Sequence, residues 1–202
     1  MSRKNYQHVK GFLDIEEGNF LFQLVKEYSK DGVTVEIGSY CGKSTCYLAA
    51  AAKEVSATFI SIDHHKGSEE HQLGELYHDS EEYDHVLGRI NTFPSFIKNL
   101  TDNDLDDFVI PMVTSSKTAS KILKDDISLL FIDGSHTFES AEDDFNFWNK
   151  KIKKGGIMAI HDIYDSIEEG GQAPKAIMEK ALKKGFKLVK REKSLVALIK
   201  QE

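Results

Sequence analysis

Acids, histidines and glycines placed where apolar runs end are the residues of this sequence best suited to chemistry. Val33-Thr-Val-Glu-Ile-Gly-Ser-Tyr-Cys-Gly-Lys-Ser-Thr45 is a β-branched run that ends in glycines and then turns into an Ala-rich segment. It reads as strand, tight turn and helix. Val33, Val35 and Ile37 favour buried extended backbone, Gly38 and Gly42 leave room for a ligand, and the free N–H groups of the following helix point back at the turn. Three ligands compete for such a turn. A phosphate-binding P-loop needs Gly, four residues, then Gly-Lys-Ser; Gly42-Lys43-Ser44 supplies the second half, but Gly38 sits one position too close. A dinucleotide fingerprint fails because Ser39-Tyr40-Cys41 intervene between only two glycines. What remains, Glu36-x-Gly38-x-x-x-Gly42, suits a ligand with a cationic amino group and hydroxyls, of which S-adenosylmethionine (SAM) is one.

Other acids stand at equivalent places. Ala57 to Asp63 is an apolar strand ending in an acid, a position that faces the ribose of a nucleoside bound to a parallel sheet. Ile127 to Asp133 is a fully apolar strand followed by Gly134-Ser135-His136, and Ile157 to Asp162 ends in His161-Asp162. His71, His78 and His85 recur every seven residues and would align for a metal on one continuous helix. Glycine and the Asp79-Ser80 pair interrupt that helix, so the plainer expectation is exposed histidines. Cys41 and Cys46 lack metal-knuckle spacing and read as packing.

These residues need elements to position them. Residues 1–10 are polar and expected to be loosely held, and residues 16–29 carry Phe20, Leu21, Leu24, Val25 and Tyr28 at helical spacing. Residues 64–92, interrupted by Gly67, Gly74 and Gly88, read as a mobile or helical insertion beside the site entrance. A helix at 93–100 precedes a strand at 108–114, where Pro111 suits a sheet edge. Ser115-Ser116 caps a helix to Lys124. A helix from Phe138 to Lys153 places Phe145, Trp148 and Ile152 on one face, and another spans 172–184. Strands at 186–190 and 194–200 are close enough to pair antiparallel. Strands alternating with helices predict a Rossmann-like, doubly wound α/β sheet of about seven mostly parallel strands with helices on both faces and an antiparallel last strand. Ligands in such sheets lie beyond the strands' carboxyl ends, where Gly38, Asp63, Ser115, Asp133 and Asp162 converge.

Composition bounds the reading. The 202 residues, 40% hydrophobic, fit one domain over 1–202, and the net charge of -7 argues against nucleic acid as partner. Residues 150–202 carry 13 basic and 7 acidic side chains, which reads as a solvated lysine-rich face. Two cysteines, no signal segment and no long apolar stretch predict a soluble cytoplasmic protein with reduced thiols and no membrane partner; a homo-oligomer stays open.

Taken together, the Val-Glu-Ile-Gly-Ser-Tyr-x-Gly-Lys-Ser-Thr stretch, Phe-Ile-Asp-Gly-x-His with a later Asp and Trp, and Gly-Gly followed by His-Asp carry a resemblance. From about Glu16 to its end the chain resembles the class I SAM-dependent methyltransferases, and within them the macrocin O-methyltransferase-type family. The resemblance implies strand order 3-2-1-4-5-7-6 and SAM as donor to a small hydroxylated acceptor of sugar or phenol type. It implies that Glu36, Gly38 and Gly42, with Ser39 and Ser44, border the methionine end of SAM. Asp63 would hold the ribose hydroxyls, Ser115 would lie by the adenine, and His64 is also placed among the cofactor-binding residues. Asp133 would serve both cofactor and chemistry, with His136 as general base and Asp162 beside them. Some relatives bind a divalent cation through the acid matching Asp133 and a pair of acids after the fifth strand. Here the first of that pair is His161, so the set Asp133, His161 and Asp162 would suit Mn²⁺, Fe²⁺ or Zn²⁺ at least as well as Mg²⁺. Two other readings stand beside this one: a P-loop-like nucleotide-phosphate enzyme, and a SAM-binding protein without transfer activity.

Overall fold

The computed structural model describes residues 3–68, 79–134 and 137–201. Helix α1 (Ile15–Tyr28) opens on a capping box in which the Asp14 side chain accepts from the first-turn backbone and Glu17 reaches back to Asp14. Strand β1 (Val33–Ile37), helix α2 (Lys43–Val55) and strand β2 (Thr58–Asp63) form the first βαβ unit. Short strands β3 (Tyr83–Asp84) and β4 (Arg89–Ile90), helix α3 (Phe93–Asp102), strand β5 (Ile110–Val113) and helix α4 (Ser116–Ser120) follow. Then come β6 (Ile127–Ile132), α5 (Phe138–Trp148), β7 (Ile152–Ile160), α6 (Ala173–Lys183), β8 (Phe186–Glu192) and β9 (Leu195–Lys200).

Among the described residues seven strands make one sheet in the order β5-β2-β1-β6-β7-β9-β8. β5 to β7 run parallel, and β9 is antiparallel to both its neighbours. This is the expected order with its antiparallel strand. Alternation along the central strands divides the core. Leu129, Phe131, Ile157 and Ala159 pack with α1, α2 and α3, while Leu130, Ile132, Met158 and Ile160 pack with α5 and α6. Pro111 lies on edge strand β5, where its missing N–H costs no ladder bond.

Four expectations are corrected. Ile152 starts β7 rather than continuing a helix: α5 stops at Trp148, and the Lys151 N–H closes a turn onto the Trp148 carbonyl at 2.9 Å. The sheet absorbs the extra length by an irregularity between Ile127 and Leu129, which pair with Ile152 and Ile157. Helix α4 ends at Ser120, short of Lys124. In the 64–92 insertion, Ser80–Glu82 form one 3₁₀ turn and residues 83–90 a two-stranded hairpin rather than an α-helix. His85 lies in the hairpin turn, so no helix aligns it with His71 and His78, which lie outside the described residues. Residues 3–13 are docked rather than loose: Val9 is buried, the Lys4 N–H donates to Asn19 Oδ1 at 2.9 Å, and Lys10 Nζ meets Asp79 and Glu81 at 2.7 and 2.8 Å.

Candidate functional site

The five strand tips converge as the fold class requires. Gly38, Asp63, Ser115, Asp133 and Asp162 all line one cavity of about 1060 Å³ at the carboxyl end of the parallel strands, and Ser39, Ser44, His64 and His161 share its wall. His136 lies outside the described residues, though Gly134 and Thr137 on either side of residues 135–136 line the same cavity.

The glycine turn is closed by Asp63. One carboxylate oxygen accepts the N–H groups of Ser39 and Tyr40, each at 2.9 Å, and the other accepts the N–H of His65 at 2.7 Å. Loop N–H groups that a P-loop would aim at phosphate are therefore spent on a carboxylate, which argues against the nucleotide-phosphate reading. His64 is half exposed, 3.8 Å from Asp63. Ser115 caps α4, its hydroxyl accepting from the Thr118 N–H at 3.2 Å.

Two expected SAM contacts stand off the cavity wall among the described residues. Glu36 sits on the opposite phase of β1 from Val35 and Ile37, so it points beneath α2 and is fully buried. There it accepts hydrogen bonds from Ser44, Thr45 and Ser61 at 2.6, 2.7 and 2.8 Å. Burial pushes its carboxyl up to about 7 despite those three hydroxyls. Gly42 begins α2 at a φ of 92°, and a Cβ there would press on the Phe96 ring at 3.2 Å, so its role is close packing.

At the tips of β6 and β7 ionisable side chains cluster around His161. His161 Nδ1 lies 3.1 Å from Asp133 Oδ1 and 3.5 Å from Asp162 Oδ2, and its Nε2 lies 3.2 Å from Glu17 Oε2. Burial opposes charge on this ring, but Asp133, Asp162 and Glu17 outweigh it and hold His161 well above the ordinary imidazole range. Asp162 adopts a φ of 57° and accepts from the Tyr164 hydroxyl at 2.9 Å. Asp133, His161 and Asp162 can each offer a ligand atom, all within 4.8 Å of one another, so the donor set fits a divalent cation.

Glu17 and Asp144 went unread in the sequence, where Lys43 figures only in the P-loop half-match. Glu17 comes from α1, and only its place in the Asp14-x-x-Glu17 capping box marked it. Lys43, buried, lies on the cavity wall with its ammonium donating to the Gly11 carbonyl at 2.7 Å and, among the described residues, no carboxylate within ion-pair reach. Desolvation lowers its pKa. Asp144 lies behind Gly134, and burial raises it to about 6. Cys41 and Cys46 are buried, with burial pushing the Cys46 thiol up to about 12, in keeping with packing.

A glycine turn held by a strand-end acid, on a sheet of this order, is the Rossmann-like arrangement, whose ligands lie beyond the strands' carboxyl ends. Residues 35–163, well over half of the chain, match the family model described as "Methyltransferase domain", and the chain belongs to that family. The uncharacterized protein R132 of Acanthamoeba polyphaga mimivirus is 26% identical over 148 residues, 73% of this chain. The chain spans 59% of the length of that curated relative. The cofactor-bound structure of Rv0187 from MTB superposes with a TM-score of 0.68 at 14% identity, covering 95% of this chain and 82% of that one. An O-methyltransferase from Bacillus cereus in complex with SAH gives 0.63 at 15% identity, covering 94% and 83%. The SAH-bound Podospora anserina methyltransferase PaMTH1 gives 0.64 at 12% identity, covering 95% and 80%. These neighbours share the fold. Among the described residues, no helix is long and apolar enough to cross a membrane.

Proposed function

We propose that this chain is a SAM-dependent methyltransferase of the macrocin O-methyltransferase type, transferring a methyl group to a hydroxyl of a small sugar- or phenol-type acceptor. The observation that carries the reading is the convergence of the Asp63-held glycine turn with Asp133 and Asp162 around a single cavity. The SAH-bound Podospora anserina methyltransferase and the SAH-bound Bacillus cereus O-methyltransferase, which share this fold, support the reading. A volume of about 1060 Å³ tops the usual ~300–1,000 Å³ range for one drug-sized ligand, so there is room for a nucleoside and a small acceptor together.

Methyl transfer from a sulfonium is an in-line displacement, so the protein must align the acceptor oxygen and take its proton. Asp63 offers the carboxylate for ribose hydroxyls. Asp133 and Asp162 flank the transferring end, where carboxylates stabilise the positive sulfonium and orient acceptor hydroxyls. His136, which follows cavity-lining Gly134 and precedes cavity-lining Thr137 in the sequence, is assigned the general base. A divalent cation bound by Asp133, His161 and Asp162 would lower the pKa of the acceptor hydroxyl. The acidic chain and acid-lined cavity favour a free small molecule over nucleic acid as acceptor.

The test is methyl transfer from labelled SAM to a panel of catechols, phenols and sugars, with His136→Ala alongside. The expected result is product in at least one class, a fall in turnover of about 10²-fold or more for the variant, and unchanged SAM binding. Binding of SAM with no transfer across the panel would turn the reading to a SAM-binding protein. Loss of SAM binding by a folded His136→Ala would remove the base assignment.

A further inference from the structure

We propose that Glu17 and His161 make the strand-tip cluster a mixed nitrogen and oxygen site that selects Mn²⁺, Fe²⁺ or Zn²⁺ over Mg²⁺, with Glu17 as the positioning carboxylate behind the ring. The inference rests on the proposed methyl transfer only for what the ion would do, since ion selectivity is read by binding.

The two nitrogens of His161 face different surroundings. Nδ1 is turned to the cavity side, 3.1 Å from Asp133 Oδ1 and 3.5 Å from Asp162 Oδ2. Two ligand atoms each about 2.0–2.2 Å from one ion, at angles between octahedral and tetrahedral, stand about 2.8–3.6 Å apart, a range that takes in both separations. Nε2 points away, 3.2 Å from Glu17 Oε2, and both His161 and Glu17 side chains are 4% exposed. Ring-ligating histidines characteristically give their other N–H to a carboxylate, which fixes the tautomer and aims the lone pair. Glu17 is itself anchored. Its Oε1 accepts from the Ser194 N–H and hydroxyl at 2.9 and 2.7 Å, and its Oε2 also accepts from the Asp14 N–H at 3.2 Å.

Charge and softness point the same way. Three carboxylates surround one imidazole, a surplus of negative charge that a dication relieves better than a proton does. Mg²⁺ prefers oxygen ligands and near-ideal octahedral geometry, whereas imidazole suits Zn²⁺ and Fe²⁺ and is accepted by Mn²⁺. Asp133 and Asp162 keep 23% and 21% side-chain exposure and line the cavity, so the open side of the site faces an incoming hydroxyl.

The experiment is calorimetric titration of chelator-stripped full chain with MnCl₂, ZnCl₂ and MgCl₂, checked by Mn²⁺ paramagnetic resonance. One Mn²⁺ or Zn²⁺ should bind per chain at least about tenfold more tightly than Mg²⁺, and Glu17→Gln should weaken that binding about 10- to 100-fold while SAM binding holds. His161→Asp, which gives three carboxylates, should move the preference toward Mg²⁺. If Glu17→Gln does not fold, His161→Asp carries the test alone. Mg²⁺ binding as tightly as Mn²⁺ and Zn²⁺, no ion binding at all, wild-type affinity in folded Glu17→Gln, or an unchanged ion order in His161→Asp would each overturn the proposal. Selective ion binding in a chain that ignores SAM would leave it standing and end the proposed function instead.

Discussion

Gly38 and Asp133 abut so closely that a Cβ on Gly38 would lie 2.0 Å from the Asp133 carbonyl oxygen. The turn after β1 thus rests directly on the backbone at the tip of β6, and the glycine turn and Asp133 are held at one fixed separation. Gly38 also has a φ of 83°, which an L side chain resists.

Gly38→Ala should therefore fail on two counts, contact and conformation. The expected loss is about 3 kcal/mol or more of stability, read by denaturant unfolding, together with loss of SAM binding.

Asp63→Ala removes the acceptor for the N–H groups of Ser39, Tyr40 and His65 as well as the carboxylate proposed for the ribose hydroxyls. SAM affinity should fall about 10- to 100-fold, the worth of one or two hydrogen bonds to a charged group, as measured by calorimetry. The melting temperature should fall with it.

Glu36 gives a pH signature. Its folded pKa of about 7 is raised above the ordinary value of 4.5, so between those two values the folded chain holds more protons than the unfolded one. This group's contribution to stability is then greatest at low pH and declines as pH rises from 4.5 to 7. Relative to wild type, Glu36→Gln should gain about 3 kcal/mol between pH 4 and pH 8, followed by urea unfolding across that range. A difference that stays flat with pH would mean the buried carboxyl does not titrate there.

Lys43 is a buried ammonium on the cavity wall beside the glycine turn, and among the described residues its hydrogen-bond partner is the Gly11 carbonyl. A carboxylate on the ligand would complete it. Lys43→Met should weaken SAM about tenfold and leave 5′-methylthioadenosine, which lacks the amino-acid tail, unchanged. Equal weakening of both would place the effect in the docked segment around Gly11.

The strand tips were legible because parallel strands leave their acids and glycines at one sheet end whatever lies between. Gly38, Asp63, Ser115, Asp133 and Asp162 needed only the alternation of apolar runs and helices to be placed together. Glu36 was misread because proximity to the glycines outweighed strand phase. Thr34 and Glu36 alternate with the apolar Val33, Val35 and Ile37, and the hydroxyls of Ser44, Thr45 and Ser61 were there to receive a buried carboxylate. Ile152 was misread because it falls four residues after Trp148 and satisfies helical spacing, yet it pairs with Ile127. Glu17 was invisible for a different reason: its partner His161 is 144 residues away, and no local pattern encodes a contact between a first-turn helix residue and a distant strand tip.

Titration of the purified chain with SAM and, separately, with ATP tests most directly whether a sulfonium nucleoside lies across the five strand tips. One SAM per chain should bind, Asp63→Ala should weaken it, and ATP should not compete. Tight ATP binding with no heat from SAM would contradict it.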